Sequence, residues 1–177
     1  MQNHTETAAP KRAMDQETLE FIRGVFTLVR AGDIDQLHSL IDKGIPVNFR
    51  NEKGDSLIML ASYHGHLETA RALLEAGADP EVANDQGQTP LAGVAYKGYR
   101  EIAELLLAHG ANVEGNSPDG KTPLMFAAMF NRTEIVDLLV KKGASIHAID
   151  SRGMTALTLA HNMGATATLA QLETMIG

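Results

Sequence analysis

The chain of 177 residues has no cysteine and no tryptophan, and only 5% of it is aromatic. Without cysteine there is no disulfide, no thiolate metal site and no thiol nucleophile. Three Tyr and five Phe are too few to build the interior, so packing falls to Leu, Ala, Ile, Val and Met. No apolar run approaches the roughly 20 residues that a membrane-spanning helix needs. Positive charge is also in deficit: 15 Lys and Arg stand against 22 Asp and Glu, for a net −7. That balance is opposite to the basic surface a phosphate backbone requires, so neither nucleic acid nor membrane is expected as a partner. It favours a protein partner that is neutral or carries basic patches. Residues 1–16 are polar, contain Pro10 and lack the apolar core of a signal sequence. They read as a disordered segment of a cytoplasmic protein, with a periplasmic location open only if a leader has been removed.

What the chain has instead is a period. Gly87-Gln88-Thr89-Pro90-Leu91-Ala92 recurs 33 residues later as Gly120-Lys121-Thr122-Pro123-Leu124-Met125, with looser copies starting at Gly54 and Gly153. Thr89 and Thr122 suit the N-cap of a helix, and Pro90 and Pro123 the first helical position, where a missing N–H costs nothing. Gly44, Gly77, Gly110 and Gly143 each follow an apolar helical run, at the left-handed position a helix C-terminus favours. Gly32, Gly65, Gly98 and Gly164 mark a turn between two helices, and the missing member of that series is Asn131. Asn is the non-glycine residue that best tolerates φ > 0.

A fixed period of this size marks a solenoid, and the T-P-L-h-x-A pattern resembles the ankyrin repeat. The resemblance covers residues 17–177 and implies an all-α solenoid of four to five helix-turn-helix units. The units are expected at about 17–50, 51–83, 84–116, 117–149 and 150–177, joined by short hairpins. The first unit lacks the T-P-L start, and the last carries Thr166, Thr168, Gln171 and Glu173 on its second helix, as a cap facing water would. The histidine that usually follows T-P-L is replaced by Met59, Ala92, Met125 and Thr158. The segments around Met125 and Tyr99 look most like small bacterial ankyrin proteins, some of which are thought to accompany catalases.

Function is expected in binding, not catalysis. No set of nucleophile, base and orienter converges in the pattern. His66 reads as a structural residue after its turn, and the His64-x-His66 pair is expected to face different ways with no third ligand spaced for zinc. No metal, cofactor or catalytic residue is therefore assigned. One feature stands out: the two residues before each turn position are Tyr63-His64, Tyr96-Lys97, Met129-Phe130 and Asn162-Met163. Aromatic and Met side chains repeated once per unit are what the centre of a protein interface uses. The resemblance implies that the hairpin tips, with Lys53, Gln86, Asp119 and Arg152, project to the same side. The expected function is a monomeric protein-binding module acting through its concave face and these tips. An inhibitor or immunity-type protein against a basic toxin or enzyme, or an accessory of oxidative-stress metabolism, are the alternatives. At the turn, Asn131→Gly is expected to be neutral or slightly stabilising.

Overall fold

Four of the five units begin where a hydroxyl closes the first turn of a helix, and the first begins where the Asp15 carboxylate does so. In the computed structural model, which describes residues 15–177, the N–H groups of Met59, Ala92, Met125 and Thr158 donate to Ser56, Thr89, Thr122 and Thr155 at 3.2–3.3 Å. The segment expected to be disordered lies outside the described residues except for Asp15 and Gln16, which cap and open the first helix. Among the described residues the structure is ten helices and no strand. They form five pairs: α1 Gln16–Ala31 with α2 Ile34–Asp42, α3 Leu57–Tyr63 with α4 Leu67–Glu75, and α5 Pro90–Lys97 with α6 Arg100–Ala108. The series continues with α7 Pro123–Met129 and α8 Thr133–Lys141, then α9 Ala156–Asn162 and α10 Thr166–Ile176. The odd-numbered helices pack side by side in one row and the even-numbered helices in a second. The apolar core runs unbroken between the rows, from Val25 and Leu37 through Leu91 and Leu106 to Leu159 and Leu172.

Three sets of polar contacts hold successive units at one register. At the inter-helix turns, His66 Nε2 donates to the Arg30 carbonyl at 2.8 Å, and Arg132 Nε donates to the Tyr96 carbonyl at 3.0 Å. Between them, the Tyr99 ring lies over Gly65. At the ends of the second helices, Asn48 Oδ1 and Glu81 Oε1 accept from the Asp79 and Asn112 N–H of the following unit, both at 2.9 Å, and Glu114 does the same for Ser145. At the hairpins, the Asp85 N–H donates to the Lys53 carbonyl (3.1 Å) and Ser151 to Asp119 (2.9 Å). The member between these two is missing because Pro118 has no N–H. Its ring instead covers Gly87, where a Cβ would come within 2.4 Å of it.

Each hairpin is folded by the side chain that opens it. Asn51, Asn84 and Asp150 each accept backbone N–H groups two and four residues on, at 2.8–3.1 Å. Ser117 keeps only the longer-range bond, from Lys121 at 3.2 Å. The two donors, Met154 first, hold the Asp150 carboxyl below the usual carboxylate range.

The two ends of the stack depart from the pattern of the inner units. α1 is about twice as long as the other first helices, and its added turns run down beside the first hairpin, where Arg23 pairs with Glu52 at 3.5 Å. In α10 only part of the polar series faces water. Thr168 is fully buried and donates to the Ala128 carbonyl at 2.7 Å, and Gln171 donates to Asp137 and to the Thr133 carbonyl. A buried hydroxyl without such a partner would be costly, so these residues tie the cap down instead of solvating it.

The turn at Asn131 carries a correction of the same kind. Asn131 has φ +59°, the one positive φ at a non-glycine among the described residues, as its place in the glycine series requires. Its side chain also accepts the Thr168 N–H at 3.0 Å, in the first turn of α10, a helix with no side-chain cap of its own. Glycine would keep the backbone and lose that cap. Asn131→Gly is therefore predicted to cost about 1 kcal/mol, and Asn131→Val about 2 kcal/mol or more because it loses both. Chemical denaturation of the two variants beside the parent checks this. An unchanged midpoint for the glycine variant would remove the capping role.

Candidate functional site

The face of the odd-numbered row that turns away from the second helices is walled by the hairpins on one side. The added turns of α1 stand at its N-terminal end, and the result is a groove of about 1780 Å³. Its floor is apolar. Ile22 and Phe26 come from α1, Phe49 from the first link, Met59 from α3, and Phe126 and Met129 from α7. Ala92 and Gly93 of α5 form a shallow centre beside the Tyr63 ring. A Cβ on Gly93 would stand 3.4 Å from Tyr63 Cδ2.

The residues singled out by spacing divide into three groups. Tyr63, His64, Tyr96, Met129 and Phe130 all line the groove, as do the hairpin residues Lys53, Gln86 and Asp119. Lys97 stands at its edge, with Nζ 4.4 Å from the centre of the Tyr63 ring and 5.7 Å from that of Tyr96. Met163 and Arg152 are exposed on the last unit, outside the groove lining.

Tyr63, Tyr96 and Phe130 form a continuous row of rings. Tyr63 and Tyr96 occupy the same register position and stack with an interplanar angle of 2° and centroids 6.4 Å apart. Phe130 comes one residue later in its unit. A step of one residue on a helix turns a side chain by about 100°, and Phe130 meets Tyr96 edge-on at 4.4 Å and 79°. The row therefore differs from three independently exposed anchors. Tyr63 is 39% exposed, while Tyr96 and Phe130 are half-buried against each other.

Charge is distributed unevenly along the groove. On the hairpin side Arg50 pairs with Asp85 (3.1 Å), Lys121 with Asp119, and Arg23 with Glu52, while Asp55 accepts from the Asn51 and Asn84 amides. The Lys121 ammonium, with the Ser117 hydroxyl, holds the Asp119 carboxyl below its ordinary range. On the turn side Arg30, His64 and Lys97 follow one another. His64 is held below the usual histidine range, first by partial burial and then by the charges of His66, Arg30 and Lys97. The His64 and His66 rings do not face apart as the sequence implied. The tight turn lays them nearly parallel, 6.1 Å between centroids. Among the described residues no group of three His, Asp or Glu side chains converges in a way that could hold a metal ion. No helix among them is long and apolar enough to cross a membrane.

The floor contributed by Phe26, Phe49, Met59 and Phe126 was not visible in the sequence, because each reads as an ordinary core position of an amphipathic helix or link. The register of Met59 and Ala92, where a histidine was expected, was the available signal.

The profile described as ankyrin repeats (3 copies) matches residues 26–117 and 94–172. A protein of Pseudomonas aeruginosa named as an ankyrin repeat protein is 52% identical over 65 residues, which is 37% of this chain and 38% of that protein. The chain thus aligns with well under two thirds of that relative's length. The relative is bacterial, like the proteins that the segments around Met125 and Tyr99 resemble.

Gly93 gives a prediction. It sits inside α5, where Ala is favoured over Gly by about 0.5–1 kcal/mol, and its added methyl would make only an ordinary contact with Tyr63. Gly93→Ala is expected to raise the melting temperature by a few degrees. A lower melting temperature would mean that the ring of Tyr63 is held against the glycine too firmly to yield.

Proposed function

The chain belongs to the ankyrin-repeat family, and from that premise we propose that it is a non-catalytic module that binds a partner protein in the concave groove. The observation that carries this reading is the groove's size and lining together. Its volume of about 1780 Å³ exceeds the roughly 300–1,000 Å³ typical of small-molecule pockets. An apolar floor crossed by a row of aromatic rings suits a polypeptide chain or loop better than a compact metabolite. The units of the stack lock one another, so the groove is presented preformed and little ordering entropy is lost on binding. Tyr63, Tyr96 and Phe130 act as the central anchors. Lys53, Gln86 and Asp119 form the rim and act mainly on association rate. Met163 and Arg152, away from the groove, are assigned no part in it.

The reading as an inhibitor of a basic toxin finds no support in the groove, where the acidic side chains are already paired. An accessory role in oxidative-stress metabolism rests on the resemblance alone.

The test is capture from lysate of the expressing cells on immobilised protein, with the parent, Tyr63→Ala, Phe130→Ala and the convex-face control Glu101→Ala run in parallel. A protein retained by the parent and the control but lost from both ring variants is expected. With that protein purified, each ring truncation should weaken binding by about 2 kcal/mol. Tyr63→Ala should change fold stability by less than about 1 kcal/mol, and Tyr96→Ala by more, because it also removes the edge-on contact with Phe130. Equal retention by all four proteins would contradict the groove as the binding face.

A further inference from the structure

The ionic groups lining the groove are not equally available to a partner. Every groove carboxylate is already engaged: Glu52, Asp85 and Asp119 by a cation of the same chain, and Asp55 by two side-chain amides. Three cations, two of them lining the groove and Lys97 at its edge, are not. Among the described residues Arg30, Lys53 and Lys97 have no carboxylate within ion-pair distance. Arg30 rests over the Phe26 ring at 6.0 Å and Lys97 over the Tyr63 ring at 4.4 Å, contacts that leave their N–H groups free to donate. His64 stands between them on the same edge, close enough to Arg30 and Lys97 to feel both charges. A protein of net charge −7 thus presents an unneutralised cationic edge at this apolar groove.

We propose that the groove recognises an acidic segment of its partner, an extended stretch in which carboxylates alternate with apolar side chains. The carboxylates meet Arg30 and Lys97 along the turn edge, on either side of the His64 ring, and Lys53 on the hairpin edge. The apolar side chains lie on the Tyr63–Tyr96–Phe130 row. The choice follows from complementarity. A basic segment would find no free carboxylate in the groove and would bring like charges against Arg30 and Lys97, which costs affinity and slows encounter. Outside the groove, carboxylates that no cation among the described residues pairs, such as Glu75, Glu101 and Glu134 on the second helices, repel an acidic partner, so the charge distribution also orients the approach. The inference rests on the groove being the protein-binding face and adds the chemistry of what it binds.

The experiment uses the full chain and three fluorescein-labelled probes, read by anisotropy: a decapeptide alternating glutamate and leucine, its lysine–leucine counterpart, and decathymidylate. The glutamate peptide should bind at least about tenfold more tightly than the lysine peptide, and its affinity should fall severalfold as salt is raised from about 50 to about 300 mM. The double variant Arg30→Glu/Lys97→Glu should reverse the preference between the two peptides, with its folding checked by thermal melt. Equal or tighter binding of the lysine peptide, or no binding of either peptide, would overturn the proposal. So would a preference unmoved by the double variant, or decathymidylate binding more tightly than the glutamate peptide. The two readings fail separately. If Tyr63→Ala abolishes glutamate-peptide binding while the charge reversal leaves it intact, the groove stands and its acidic preference falls. If neither change matters, the groove itself is the wrong face.

Discussion

No helix pair in this chain can bury its own apolar surface. Leu91, Val94 and Ala95 of α5 are fully enclosed only because α3 lies on one side and α7 on the other, and the same holds for each inner unit. Stability is then a sum of contacts between neighbours, and register between neighbours becomes the quantity the sequence must specify. Apolar packing alone specifies it poorly, because Leu and Ala surfaces tolerate sliding. The polar ladders at the turns, hairpins and second-helix ends do so far better. A displaced unit would leave the Asp79 and Asn112 N–H groups, and the carbonyls of Arg30 and Tyr96, without their present partners. Each bond contributes about 1 kcal/mol or less, yet together they leave one alignment satisfied.

The groove is a consequence of that alignment. Holding the first helices in a row with the hairpins on one side places position 63 of one unit beside position 96 of the next. Two tyrosines that are distant in sequence then become a stacked pair. A single-residue offset in the fourth unit turns the next ring edge-on and closes the row against itself. The rigidity of the stack and the shape of the groove therefore have the same source: the rings are held by neighbours that are themselves held by the ladders.

The repeat made the backbone legible. Left-handed positions, hydroxyl caps and helix pairs all follow from residues recurring every 33 positions, and Asn131 could be recognised as a positive-φ residue from its place in a glycine series. Side-chain duty was legible only where a single unit decides it. Asn48, Glu81 and Glu114 read as scattered surface polar residues, because their partners lie in the next unit and no local pattern signals the bond. Asn131 had two roles, of which only the backbone one was visible, and Thr168 and Gln171 looked like solvated cap residues until their acceptors on α7 and α8 were in view. In the groove, the ring positions before each turn were readable. The placing of the N-terminal turns of α1 beside the first hairpin was not, nor was the pairing that engages the groove acids and, among the described residues, leaves Arg30, Lys53 and Lys97 without an ion-pair partner, because both depend on which unit faces which.

Whether a preformed concave groove is the recognition surface is decided by amide hydrogen exchange on the complex with a captured partner. Binding is predicted to slow exchange in the hairpins around Lys53 and Gln86 and at the C-terminal ends of α3 and α5, while the second helices α4, α6 and α8 exchange as in the free protein. Protection concentrated on α4, α6 and α8, with the groove unchanged, would contradict it.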